Sequence, residues 1–261
     1  MTNAATAGAQ PTYVHLTRQG AVLAALAGTL TVNVLANTLP INGQTTGEIS
    51  DKFPILITPP GYVFGIWGVI YTGLLSYAVY QALPSNRDKE RLKRIAWPFI
   101  LSCAANASWI VLWHYNQLGI SLGVIIGLLL ALITIDRRLG KATEMPLADR
   151  LLVRLPFSIY LGWASVATIV NAAVVLYDAE WNGMGLSPEV WTAGTLGVGA
   201  GLGAAMGVRE QDVAFPLVLA WAFSGIARKQ AETPLVGPAA WVATAVALLS
   251  AGAALWLRRR R

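Results

Sequence analysis

Apolar residues along this chain come in long blocks with almost no charge, separated by short segments rich in Gly, Pro, Lys and Arg. Eight blocks stand out, at 18–39, 62–83, 95–113, 118–135, 155–177, 190–208, 213–227 and 238–257. Most have the roughly 17 to 24 residues that carry a helix across ~30 Å of hydrocarbon at 1.5 Å per residue. The seventh is short and contains Pro216; about 15 residues make only ~22 Å of helix, so it reads as tilted, kinked or re-entrant. The pattern predicts an all-α polytopic transmembrane helix bundle of about eight helices. Residues 1–17, polar and Ala-rich, read as a disordered tail, and 258–261 as a basic one.

Composition agrees: 55% of the 261 residues are apolar, 12% are charged, and mean hydropathy is +0.55, which is membrane-class usage. The basic residues alternate between connections. Arg18, five in 87–94, five in 137–154, Arg209 and four in 258–261 put 16 on one side, against Lys52, Arg228 and Lys229 on the other. Cytoplasmic loops hold the excess of Lys and Arg, so both termini are expected in the cytoplasm, in a bacterial inner (plasma) membrane. The net charge of +6 then reflects contact with anionic lipid in the bilayer, and nucleic acid need not be invoked.

Charge placement narrows the chemistry. Proton-driven carriers keep a carboxylate or histidine in the bilayer interior, whereas all 13 acidic residues lie in loops or at block ends, which disfavours ion-driven transport. No lysine lies inside a block, so a retinal Schiff base has no partner. His15 and His114 are far apart and have no Asp, Glu or Cys at metal spacing; each reads as an interfacial polar residue, and Cys103 as a small buried hydrophobe. Among ten tryptophans, Trp113, Trp181, Trp191, Trp241 and Trp256 sit at block ends, where indoles favour the headgroup level. Trp97 is intermediate. Trp67, Trp109, Trp163 and Trp221 are interior, in the company of Asn106 and Asn171.

Small residues also carry a pattern. Ser187, Pro188 and Glu189 make a helix start. Beyond it Gly199, Gly203 and Gly207 recur every four residues beside a second stripe of Gly197, Gly201 and Ala205. This predicts backbone-close helix contact, within the monomer or, as the alternative, at a homodimer seam.

Three stretches together resemble the translocator protein or tryptophan-rich sensory protein family. The first is Pro59, Pro60, Tyr62, Gly65, Trp67 and Tyr71; the second is Asn106 with Trp109; the third is Pro156, Trp163, Ala167, Thr168 and Asn171. They fall in order on the second, third and fifth blocks. The resemblance implies a five-helix bundle over 18–180, followed by a three-helix C-terminal extension over 181–257. It also implies an apolar pocket opening toward the loop between the first two blocks, for a hydrophobic small molecule such as a porphyrin, a haem-like tetrapyrrole or another flat lipophile. No cofactor is required. The site residues it implies are Tyr62, Trp67, Tyr71, Asn106, Trp109, Trp163, Ala167 and Asn171, with Trp67 and Trp163 facing each other to clamp the ligand by stacking. Sensing, storage or passage of the ligand is the role implied. Light-dependent porphyrin breakdown and a scaffold that recruits a partner are the alternatives.

Overall fold

The computed structural model describes residues 12–39 and 41–260. The first eleven residues of the expected tail and the last of the four terminal arginines lie outside the described residues. The remainder of that tail is helical. Helix α1 spans Thr12–Thr38, and a loop carrying the short α2, Thr46–Asp51, follows it. A 3₁₀ turn, Gly61–Gly65, leads into α3, Ile66–Ala82. Then come α4, Glu90–His114, and α5, Leu118–Leu139. One turn, α6 at Leu147–Asp149, passes through a π-helical turn at Arg150–Arg154 into α7, Leu155–Asp178. The chain closes with α8, Pro188–Arg209, α9, Ala214–Lys229, and α10, Val236–Arg259. The eight expected helices are therefore present.

Six of them are long and apolar enough to cross a membrane: α1, α3, α4, α5, α7 and α10. The other two fall outside that set for different reasons. Helix α8 has 22 residues, but its glycines dilute its hydropathy; α9 has only 16. Even so, α9 runs the height of the bundle. At its start Asp212 meets Ser158 of α7 at 2.6 Å, and just past its end Gln230 donates to the Leu56 carbonyl at 3.1 Å. Those partners lie at opposite ends, so the seventh block traverses rather than re-enters.

The charge alternation is visible as two unlike ends. At one, Arg18 donates to the Arg87 carbonyl at 3.0 Å, Arg258 to the Gln211 carbonyl at 2.7 Å, and Arg154 pairs with Asp136 and Asp212. At the other, Asn42 donates to the His114 carbonyl at 3.0 Å and Phe53 meets Tyr177 edge-on at 6.2 Å. Both ends of the described chain emerge at the basic end. A reporter active only in the cytoplasm and fused after Arg261 is expected to be active; a well-expressed but silent fusion would overturn this orientation.

Helix α4 packs between α1 and α5, α5 against α7, and α3 against α1 and α7; α9 joins α7 to α8 and α10. Between α3, α4 and α7, the rings of Tyr77, Phe99 and Phe157 meet edge-on with centroids 4.9 to 5.6 Å apart. This plug closes the bundle toward the basic end. The glycine pattern resolves into one working stripe. A Cβ at Gly199 would stand 2.7 Å from the Phe223 ring, at Gly203 3.1 Å from Leu219, and at Gly207 2.6 Å from the Ser250 carbonyl oxygen. At Gly197 and Gly201 a Cβ would meet nothing within 4 Å. The contact stripe is thus used within the chain, against α9 and α10.

Candidate functional site

Pro60 is extended, with φ −68° and ψ 157°, and the 3₁₀ turn follows it directly, so α3 starts only at Ile66. Trp67 therefore sits in the first turn of α3, with Phe64 on the turn before it. The loop that precedes them is ordered by a capping box. The Glu48 amide donates to the Thr45 hydroxyl at 3.3 Å, and the Thr45 amide donates to the Glu48 carboxylate at 2.7 Å. The Thr45 hydroxyl also donates to that carboxylate, at 2.9 Å, and the two bonds from the Thr45 amide and hydroxyl hold the Glu48 carboxyl below the usual carboxylate range. So capped, α2 lies over the end of α4. Trp113 donates to the Thr46 carbonyl at 3.5 Å, and the His114 Nε2 lies 3.5 Å from the Thr46 hydroxyl. His114 is fully buried, with Nδ1 2.7 Å from the Ile110 carbonyl oxygen. Rather than an interfacial residue, it is an anchor for the loop.

Beneath α2 lies a cavity. Trp67, Trp109, Trp163, Ala167 and Asn171, five of the eight implied residues, line it together with Phe64, Trp113, Thr46 and Ser50. The other three do not. Tyr62 is exposed and leans edge-on against Trp221 at 5.7 Å, because the 3₁₀ turn, at 3.0 residues per turn, points it away from the face of Trp67. Tyr71 stands behind the wall, stacked on Trp67 at 5.3 Å and 20°. Asn106 lies below, in a buried polar chain: Asn33 donates to its side-chain oxygen at 2.7 Å, and it donates to the Tyr160 hydroxyl at 2.8 Å.

The stacking clamp is not formed either. Trp67 and Trp163 meet at 6.3 Å and 84°, in direct edge-to-face contact, and Phe64 meets Trp163 edge-on at 5.6 Å. That arrangement puts the positive ring edge on the negative ring face, and no slot remains between the two indoles. The resulting cavity is small, about 40 Å³, room for about three or four waters at ~10–15 Å³ each. Its polar groups are unevenly satisfied. Trp109 donates to the Asn171 oxygen at 3.1 Å, while Asn171 also pairs with Ser121 at 3.2 Å. The Trp163 Nε1 is buried without an acceptor among the described residues.

Some of the lining was within reach of the sequence. Trp113 follows Trp109 by four residues, hence on the same helical face, although its block-end position reads as an interfacial ring. Thr45 and Glu48 announce a helix in the loop, but nothing local says that it covers a cavity. Helix α9 braces the same wall. Trp221 donates to the Val63 carbonyl at 3.0 Å, and a Cβ at Gly225 would stand 2.4 Å from Val63 and 3.2 Å from Pro60.

A family model described as TSPO-like protein matches residues 19–253. The match runs past Tyr177 through α8, α9 and most of α10, so the three last helices lie within it. No curated protein and no solved structure matches the chain.

Proposed function

The chain belongs to the TSPO-like protein family and is an integral membrane protein; from that premise we propose that its aromatic cavity binds a flat hydrophobic molecule of the porphyrin or haem-like tetrapyrrole class for sensing, storage or passage. The observation that carries this reading is Trp163, which lines a cavity with Trp67, Trp109 and Trp113 and whose buried N–H has no acceptor among the described residues. A buried donor without an acceptor costs about 1–3 kcal/mol. A lipophile bearing carboxylates or another acceptor removes that cost while its flat body meets the rings. At about 40 Å³ the cavity is too small for such a ligand, so binding requires α2 to lift. The contacts that hold α2 to Trp113 and His114 are long, at 3.5 Å each, and therefore weak.

A dicarboxylic porphyrin, titrated into the detergent-solubilised protein and followed by its absorbance shift against a detergent blank, tests this. Trp163→Phe keeps most of the ring and loses the N–H. It is expected to weaken binding about two- to tenfold, the worth of one hydrogen bond, and Trp163→Ala more. Unchanged affinity in both variants would place the ligand elsewhere. Protein-dependent bleaching under light, absent in the dark, would favour the enzymatic alternative.

A further inference from the structure

At the basic end of the bundle, away from the aromatic cavity, Lys89, Arg91 and Arg94 of α4 and its approach face Arg138 at the end of α5 across an open cleft of about 440 Å³. Four cations line it, against the two carboxylates of Glu90 and Asp149. Asp149, nearly buried at the back, acts as a fixed post. One of its oxygens takes Lys89 at 2.9 Å and the Tyr80 hydroxyl at 2.6 Å, and the other takes Arg91 at 2.9 Å. Glu90 is engaged by Lys93 at 2.9 Å. Arg94 and Arg138 make no ion pair with a carboxylate among the described residues, and Arg138 spends a single donor on the Arg94 carbonyl, at 2.6 Å. Two helices thus hold a set of guanidinium and ammonium donors at fixed positions, with most of Arg94 and Arg138 unspent. A phosphate accepts from such forked donors in pairs.

The depth of the cleft selects the source of the phosphate. Trp97 follows Arg94 by three residues, hence on the same side of α4, and is 70% exposed. At the same end Trp256 is half-exposed, under the Arg260 guanidinium at 3.7 Å. Exposed indoles settle at the headgroup level, so the cleft lies in the headgroup plane of the leaflet that the charge bias assigns to the cytoplasm. We propose that this cleft is a binding site for the phosphate of an anionic phospholipid, held chiefly by Arg94 and Arg138.

The experiment counts lipids retained by the protein in native mass spectrometry from a neutral detergent. Short-chain phosphatidylglycerol is expected to bind, phosphatidylcholine much less, and equimolar inorganic phosphate is expected not to displace the former. The double variant Arg94→Gln, Arg138→Gln is expected to weaken phosphatidylglycerol binding about thirtyfold, the effect of two arginines near an anionic surface. Arg209→Gln with Arg259→Gln, which removes the same charge from exposed positions at the same end, is expected to change it less than about threefold. An equal loss in that control would reduce the site to diffuse attraction. Equal binding of phosphatidylcholine, or displacement by inorganic phosphate, would also overturn it. Unaltered porphyrin titration by the Arg94 and Arg138 variant shows that the fold survives and that the two sites are separate.

Discussion

Replacing Arg154 with methionine is expected to destabilise the bundle by about 3–5 kcal/mol, the cost of removing one partner from a buried ion pair. Arg154 is 3% exposed, and its guanidinium joins two elements far apart in sequence, Asp136 on α5 and Asp212 just before α9, the latter at 3.0 Å. Asp212 is committed on its other oxygen as well, accepting from the Ser158 hydroxyl at 2.6 Å and from the amides of Ala214 at 2.9 Å and Phe215 at 3.1 Å. Without Arg154, Asp136 and Asp212 face each other without their ion-pair partner, at the point where α9 is tied to α5 and α7, and only the more distant charge of Arg258 acts on Asp212. The cluster is not ideal even when intact, because the Arg154 Nε has no acceptor among the described residues. The triple variant Arg154→Met, Asp136→Asn, Asp212→Asn is therefore expected to recover most of the loss, since uncharged replacements of a buried ion cluster are often neutral. Denaturant unfolding in detergent measures both. Wild-type stability in Arg154→Met would show that water reaches the cluster and that it holds nothing.

Gly207→Leu is expected to lower stability by about 3 kcal/mol or more, the upper range for overpacking. Its Cβ would fall 2.6 Å from the Ser250 carbonyl oxygen and 2.9 Å from the Ser250 carbonyl carbon. Those are backbone atoms of α10, and they move only if the helix moves. The same change at Gly203 meets the tip of Leu219 at 3.1 Å, which rotates away at lower cost. At Gly201 it meets nothing within 4 Å. The order of damage is thus Gly207, then Gly203, then Gly201, read from unfolding midpoints in detergent. An equal effect at all three would mean that helix propensity rather than contact is being measured. A change of oligomeric size in Gly201→Leu alone would assign the outer stripe to a homodimer.

The two variants also show where sequence reading stops. The glycines at 199, 203 and 207 and their neighbours at 197 and 201 are equivalent as a spacing pattern, and only the positions of Phe223, Leu219 and Ser250 distinguish them. Arg154, Asp136 and Asp212 each read as an ordinary charged residue near a block end. Their meeting depends on the π-helical turn at Arg150–Arg154 and on the return of α9. In the same way Trp67 and Trp163 were legible as interior rings near one another, but their perpendicular contact was not.

What the sequence determined by itself was the set of eight helices, their alternation between a basic and a less basic end, and the small group of interior Trp and Asn residues from which the cavity is built. These follow from local rules. A backbone in hydrocarbon must bond within its own helix, and Lys and Arg stay on one side. What the tertiary structure alone decided was which face of each helix meets another: Tyr62 turned out toward Trp221, Asn106 set below the cavity, α2 laid across its mouth, and α9 braced against Val63 and Pro60. In water an apolar stripe marks the buried face of a helix, but in a bilayer the lipid-facing side is just as apolar. The choice of face then rests on shape, on close approach at glycine and on the pairing of buried polar groups, and those exist only once the helices are assembled.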